Sequence, residues 1–380
     1  MLLRPTWAEI DVPALAQNLK NISRKIGRQT KILAIVKADA YGHGALEVAK
    51  ACEKHRCYLG VALIEEAITL RKAGIKAPIL ILGSIFPFTN FKYVLDYNLI
   101  PTIASLAGAR SLSRIAVKHK QKIKFHLKVD TGMGRIGIRP LSAAATIRKI
   151  KALPFIEMEG LYTHLASAED DEAYSRQQIE MFIRIIKELE QEKITVKYKH
   201  VSGSAAILKY RNYPFNMVRP GLMMYGLAPF KRAGKQITLH PVLSLKTKIV
   251  YLKRLSKGNS ISYGRTFITK RNSFIGTLPI GYADGYSRSL SNRAMVLVQG
   301  KRVPVIGRVC MDMCMIDLTG MKGIDVGEEV VLVGKQGQET ISVNEVAEWA
   351  RTISYEIVCG ISARVPRIYT RFTLNGHETR

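Results

Sequence analysis

A chain of 380 residues has room for two domains, or for one large barrel with an addition. Hydrophobic residues make up 47% and charged residues 23%, an ordinary balance for a folded protein, and the longest apolar runs fall well short of the roughly 20 residues a spanning helix needs. The 58 Lys and Arg against 30 acidic residues leave a net charge of +28, but they are spread along the chain in pieces such as "VKHKQKIK", without a stripe or an RNA-binding motif, so no specific nucleic-acid function is expected.

The N-terminus, "MLLRPTWAEID", lacks the basic segment and apolar core of a signal peptide, which makes the cytoplasm the default compartment. Residues 1–10 are expected to form a strand that joins a later β domain. A first helix, "PALAQNLKNISRKI", opens on Pro13, where a missing N–H costs nothing. From residue 31, short apolar runs ("KILAIVKA", "YLGVALI", "PILILG", "LIPTIA", "IKFHLKVD", "IEMEGLYTHLA", "YKHVSGS", "NMVRPGLMMYG") alternate with helix-like segments such as "ARSLSRIAVKH" and "DEAYSRQQIEMFIRIIKELEQEK". Eight strands by about residue 226, with helices between them, predict a (β/α)8 barrel over 11–235 rather than an open doubly wound sheet.

After residue 236 the texture changes. Runs such as "VLSLKTKIVYL", "SFIGTLPIGY" and "EEVVLVG" are joined by turns, with one helix around "SVNEVAEWART", so 236–380 reads as a mainly β C-terminal domain. Of the five cysteines, Cys310 and Cys314 lie in "RVCMDMCMID", which reads as a strand carrying both on one face. A metal pair is one reading; no histidine lies near them in sequence, so buried thiols are preferred and no metal site is expected.

The stretch "ILAIVKADAYGHG" drives Lys37 to the end of an apolar strand and then into a small, glycine-containing turn. Functional residues of such barrels sit where strands end. The polar residues there are Lys37, Lys128 with Arg135, His164, Ser204, and Arg219 with Gly221. Each alone has a plainer reading: a terminal histidine satisfies a partner, and Ser204 caps a helix. Five converging strand ends point to a Schiff base on Lys37, whose ammonium form is disfavoured near apolar surface and other cations. Tyr41, Ser204 and Gly221 offer groups for the phosphate of a pyridoxal cofactor, and Arg219 is placed to face its ring.

The motif "VKADAYGHG" resembles the cofactor-lysine signature of bacterial alanine racemases, fold type III pyridoxal-phosphate enzymes. The likeness continues in order through "KVDTGMGRIG", "YTHLASAE", "VRPGLMMYG", "ISYGRTF", "IGYADGYSR", "IGRVCMDMCMID" and "SYEIVCGISARVPR". It implies pyridoxal 5'-phosphate as cofactor and interconversion of L- and D-alanine for peptidoglycan synthesis. Lys37 becomes the cofactor lysine and one of two bases. Tyr263 becomes the second base, contributed by the partner subunit of a homodimer. The resemblance assigns Arg219 to the pyridine nitrogen, His164 to that arginine and the tyrosine, and Arg135 to the cofactor phenolic oxygen and substrate carboxylate. Lys128 matches a lysine often carbamylated, and Met311 a backbone donor to the substrate carboxylate. Tyr41, Ser204, Gly221, Leu222 and Tyr355 match phosphate contacts. An arginine, unlike an aspartate, gives the pyridine nitrogen no proton, so proton exchange is favoured over transamination.

Gly203 departs from the family's asparagine, and Glu169 stands where many relatives carry aspartate. Three other readings remain at this point: a racemase of serine or several amino acids, a decarboxylase, and a cofactor carrier without turnover. Tyr263, Tyr282 and Tyr355 favour a small side chain. A decarboxylase is expected to pair the ring with an acid, and a carrier lacks the β domain.

Overall fold

Strands buried on both faces need near-continuous apolar runs, and short ones suffice when helices cover them. The computed structural model, which describes residues 3–210, 213–230 and 233–370, contains eight such strands after an N-terminal β1 (Thr6–Asp11). They are β2 (Lys31–Ile35), β3 (Tyr58–Val61), β4 (Ile79–Ile81), β5 (Ile100–Ile103), β6 (Ile123–Lys128), β7 (Ile156–Tyr162), β8 (Tyr198–His200) and β9 (Met217–Val218). Every residue of β4 and β5 is buried. The strands pair in parallel in sequence order, and β9 returns to β2 through Lys31↔Met217 and Ile32↔Val218. Between β8 and β9 the seam is held by Arg219 N–H to Ser202 O at 2.8 Å and Lys199 N–H to the Asn216 side chain at 2.8 Å. The eight predicted strands are these eight, and the (β/α)8 barrel is the observed architecture.

The intervening helices form for local reasons. Leu106–Lys118 starts at Ser105, whose hydroxyl accepts the Gly108 N–H, and buries Ala109, Leu112 and Ala116 at helical spacing. Glu172–Gln191 is capped by Asp171 and buries Ile179, Phe182, Ile186 and Leu189. No helix among the described residues is long and apolar enough to cross a membrane.

The segment after β2 differs from the expected turn. Ala38, Asp39, Ala40 and Tyr41 all have φ between 51° and 53°, and Gly42 follows at 75°. Within the helical turn Lys37–Gly42, residues Ala38–Gly42 are therefore left-handed, and Ala40 N–H reaches Val36 O at 3.0 Å. Each such non-glycine residue costs about 1–2 kcal/mol, and only a surrounding fold that over-determines the path sustains a run of them.

A second unit contains the described residues of 1–15, residues 41–44 and the described residues of 240–380. Its strands are β10 (Leu243–Lys248), β11 (Tyr251–Leu255), β12 (Ser260–Ile261), β13 (Phe267–Ile268), β14 (Ser273–Leu278), β15 (Met295–Val298), β16 (Lys301–Ile306), β17 (Cys314–Asp317), β18 (Glu329–Gln336), β19 (Glu339–Ile341) and β20 (Arg367–Thr370). Ten strands form one sheet in the order β11-β14-β17-β16-β15-β18-β10-β1-β20, with β19 on β18; β12 and β13 form a separate hairpin. The N-terminal β1 pairs antiparallel with β10 and parallel with β20. Residues 371–380 of the expected β domain lie outside the described residues.

Two details depart from the sequence reading. Of "RVCMDMCMID" only Cys314–Asp317 is strand, and Cys310 lies in the preceding loop. A second helix, Ser354–Gly360, follows Val343–Ala350. Its seven residues include Ile357 and Val358 and lack a side-chain cap, so no local signal marks it.

Candidate active site

The barrel gathers its cations at the ends of β2, β6 and β9. Lys128 closes β6 and is buried against the Tyr162 ring, with its Nζ 5.6 Å from the ring centre. Burial, then Arg135, Arg219 and Lys37, pull its pKa down to about 8, against the pull of Asp130. The loop after it is built by that aspartate. Asp130 accepts the N–H groups of Gly132 and Gly134 on one oxygen and of Arg135 on the other, at 3.0–3.1 Å. Gly132, Gly134 and Gly137 all have positive φ, which explains the glycines of "DTGMGRIG".

A methyl group at Gly137 would lie 2.6 Å from Asp130 N, in a backbone conformation (φ +141°) that disfavours it. Gly137→Ala is expected to cost about 1–3 kcal/mol, the range of strain at a special backbone position. Urea unfolding measures that loss. A rise in substrate KM beyond the loss of folded protein would report displacement of Arg135.

Arg219, at the end of β9, is buried with its guanidinium clamped from four directions. Its two Nη2 hydrogens are shared among Thr163 O and Val201 O, both at 2.8 Å, and His164 Nδ1 at 3.1 Å, and its Nη1 donates to His200 Nδ1 at 2.8 Å. Burial lowers its pKa to about 10, so it stays cationic at neutral pH. Among the described residues, no acceptor takes its Nε–H or its second Nη1 hydrogen. His164 is pushed down to about 3 by burial and by Arg219, Lys128, Arg135 and Lys37. It is therefore neutral, and because Arg219 donates to Nδ1, its own proton sits on Nε2.

Ser204, expected as a phosphate contact or a cap, has its hydroxyl oxygen fixed by the N–H groups of Gly221 (3.0 Å) and Met223 (3.3 Å). Its own hydrogen remains to be donated elsewhere. Leu222 begins the short turn Leu222–Tyr225 beside it and is buried. A side chain at Gly203 would meet only His164 Cε1, at an ordinary 3.7 Å, so the glycine is not forced by space.

The β unit carries the remaining candidates. Tyr41 is buried edge-on to Tyr355, ring centres 5.7 Å apart, and burial, Tyr355 and Cys359 raise its pKa. Tyr263 is 73% exposed at the tip of the β12–β13 hairpin. Ser262 before it takes φ +64°, and its hydroxyl donates to Arg308 O at 2.7 Å and lies 3.3 Å from Cys310 Sγ. That contact brings the Tyr263 and Met311 segments together. Met311 is itself 53% exposed, and its carbonyl accepts the Ala283 N–H at 3.0 Å.

Three participants escaped the sequence reading. Asp130 carried a signal in its place before the glycine-rich loop. His200 and His126 sat inside strand-like runs, where period-2 patterning says only that they face inward.

The same architecture recurs among known proteins. Residues 10–229 match the family model "Alanine racemase, N-terminal domain" and residues 242–369 match "Alanine racemase, C-terminal domain". The alanine racemase of Halothermothrix orenii is 48% identical over 370 residues, covering 97% of each chain. That of Methanococcus maripaludis is 46% identical over 373 residues, 97% of this chain and all of the other. Among solved structures, the Clostridium difficile alanine racemase superposes with TM-score 0.92 at 37% identity, covering 100% of this chain and 98% of that one. The Bacillus anthracis alanine racemase with bound L-Ala-P gives 0.92 at 39%, with the same coverage. With both halves matched and near-complete coverage by these relatives, the chain belongs to the alanine racemase family.

Proposed function

We infer that this chain is an alanine racemase, interconverting L- and D-alanine with pyridoxal 5'-phosphate and so supplying D-alanine for peptidoglycan synthesis. The observation that carries the reading is Arg219: a buried cation held by two carbonyls and two imidazoles, with Nε–H left to meet a ring nitrogen. The barrel residues fit the cofactor. Lys37, Lys128, Arg135 and Arg219 act on one another or on shared neighbours, with Asp130 the carboxylate that counters Lys128, so the site favours an anion. Ser204 keeps a hydroxyl hydrogen to donate to a phosphate. Tyr41, Tyr355, Gly221 and Leu222 are the further phosphate contacts of this reading.

When bound, the cofactor supplies the electron sink that acidifies the substrate α C–H. Lys37 Nζ takes or returns the α proton on one face, and the Tyr263 phenolic oxygen does so on the other. Arg135 and the Met311 N–H hold the substrate carboxylate. Arg219 donates to the ring nitrogen without releasing its own proton, which favours proton return over transamination. Neutral His164 offers Nε2–H to steady the phenolic oxygen of Tyr263.

In this reading the barrel spans 11–235 and the β domain 236–380, joined by the strand in 1–10. The exposed Tyr263 is contributed to the site of a second copy, in a cytoplasmic homodimer. Chiral product analysis after incubation with L-alanine, L-serine and L-lysine separately tests the function. D-alanine as the dominant product is expected; D-serine or D-lysine formed faster would displace alanine as the substrate.

Lys128 is expected to carry a carbamate. Its depressed pKa of about 8 leaves part of the amine neutral and open to carbon dioxide, and the modification turns repulsion from Arg135 into attraction. Electron density at Nζ decides it: a bare amine, well resolved in crystals grown in air, would count against the carbamate.

A further inference from the structure

Arg219 is a buried cation without a carboxylate at ion-pair distance among the described residues, yet a chain of polar groups leads from it through the barrel interior to one. Arg219 Nη1 donates to His200 Nδ1 at 2.8 Å, and His200 Nε2 lies 2.9 Å from His126 Nδ1. His126 Nε2 then faces Glu159 Oε2 at 3.8 Å. Both of these last atoms are fully buried and neither has another partner. The gap between them is too short to admit a water, so they answer each other.

We propose that His126 and Glu159 are positioning residues of the active site, acting on Arg219 through His200 as a relayed counter-charge. The inference rests on Arg219 facing the cofactor ring nitrogen.

The chain runs one way. An arginine has only donors, so His200 Nδ1 must be bare and its proton must sit on Nε2. That proton goes to His126 Nδ1, which leaves the His126 proton on Nε2, aimed at Glu159. Neutrality of both rings agrees with burial, which lowers the pKa of each. Glu159 is anchored from its other oxygen by Lys124 at 3.1 Å. Burial raises its pKa, but the facing His126 and the Lys124 hydrogen bond outweigh that and hold it at about 2. An ionised Glu159 polarises both imidazoles toward His200 Nδ1, which strengthens the acceptor that Arg219 sees. A carboxylate placed directly on Arg219 would instead occupy the donors the ring nitrogen needs.

The backbone is shaped for this chain. β6 and β7 pair Phe125 with Met158 but His126 with Gly160, so Glu159 is the extra residue of a β-bulge. Gly160 is required beside it, since a Cβ there would lie 2.4–2.6 Å from the His126 ring. Tyr162 stacks on His200 at 4.7 Å between centroids and is tied by its hydroxyl to Thr102.

Neutron diffraction from crystals of the holoenzyme tests the chain. Protons are expected on Nε2 of both His200 and His126, with Glu159 bare. A proton on His126 Nδ1 would overturn the proposal whatever the activity. The second test compares Glu159→Gln, His126→Phe and Arg219→Lys for visible absorbance of the bound cofactor, kcat and KM. Glu159→Gln keeps shape and removes charge. It is expected to lower kcat about tenfold, the low end of losses when an outer partner of a site group is removed, with KM for alanine within about twofold. The cofactor band should shift in the same direction as in Arg219→Lys. If Arg219→Lys changes neither band nor kcat, the assignment of Arg219 fails. If it changes both while Glu159→Gln and His126→Phe, each folded by circular dichroism, change neither, the relay alone is wrong.

Discussion

Lys37→Ala is expected to leave a folded protein that neither holds the cofactor covalently nor racemises alanine. A positioned general base contributes about 10²- to 10⁴-fold, and loss of the covalent anchor adds to that. The fold should tolerate the change, because Lys37 is part-exposed at the head of a strained turn, and alanine suits the small residues beside it. Absorbance of the bound cofactor and borohydride trapping followed by peptide mapping check it. An adduct mapped to another lysine would remove Lys37 from its role.

Tyr263→Phe should separate the two faces of the reaction. With Tyr263 taking the proton from L-alanine and Lys37 from D-alanine, each enantiomer depends first on a different base. The two enantiomers have equal free energy in achiral water, so the equilibrium constant cannot change, and steady-state racemisation must fall in both directions. The asymmetry appears in single-turnover exchange of the α proton with deuterated solvent: lost from L-alanine, retained in part from D-alanine. A general base is worth about 10²- to 10⁴-fold, which makes the difference easy to measure. The exposed hairpin position of Tyr263 argues that only the reaction, and not the fold, is affected. Mixing this variant with Lys37→Ala extends the test to the assembly. A mixed dimer with shared sites holds one site with both defects and one intact, so activity should return after subunit exchange. No recovery, with exchange confirmed, would mean that each chain supplies its own tyrosine.

The linear pattern of this protein was enough to determine the barrel. Eight apolar runs spaced by helix-like segments leave few alternatives, because parallel strands need helical crossovers and burial on both faces. The texture change near residue 236 was legible for the same reason, since strand-and-turn spacing replaces helical spacing. Lys37, Lys128, His164 and Arg219 could be picked out because a charged or polar group at the end of an apolar run is costly without a purpose. Tyr263, Met311 and Tyr355 were legible only through the family motif, since a lone tyrosine or methionine in a β segment carries no chemistry of its own.

Other features were decided by the tertiary structure alone. The left-handed turn over Ala38–Gly42 goes against the local preference of Ala38, Ala40 and Tyr41, and contacts distant in sequence must hold it; Gly42, for one, is pressed against the Val358 carbonyl, which a Cβ would approach to 2.1 Å. The helix Ser354–Gly360 has no side-chain cap and β-branched residues within it, so propensity alone does not make it helical; Val358 is the residue it buries. The chain from Arg219 to Glu159 was invisible because its four members come from four strands or strand ends. A one-residue bulge beside Glu159 breaks the alternation from which its direction would be read. Sequence patterning reports which way a side chain faces in a regular element; which groups then meet, and which proton each holds, is set by register and closure of the barrel.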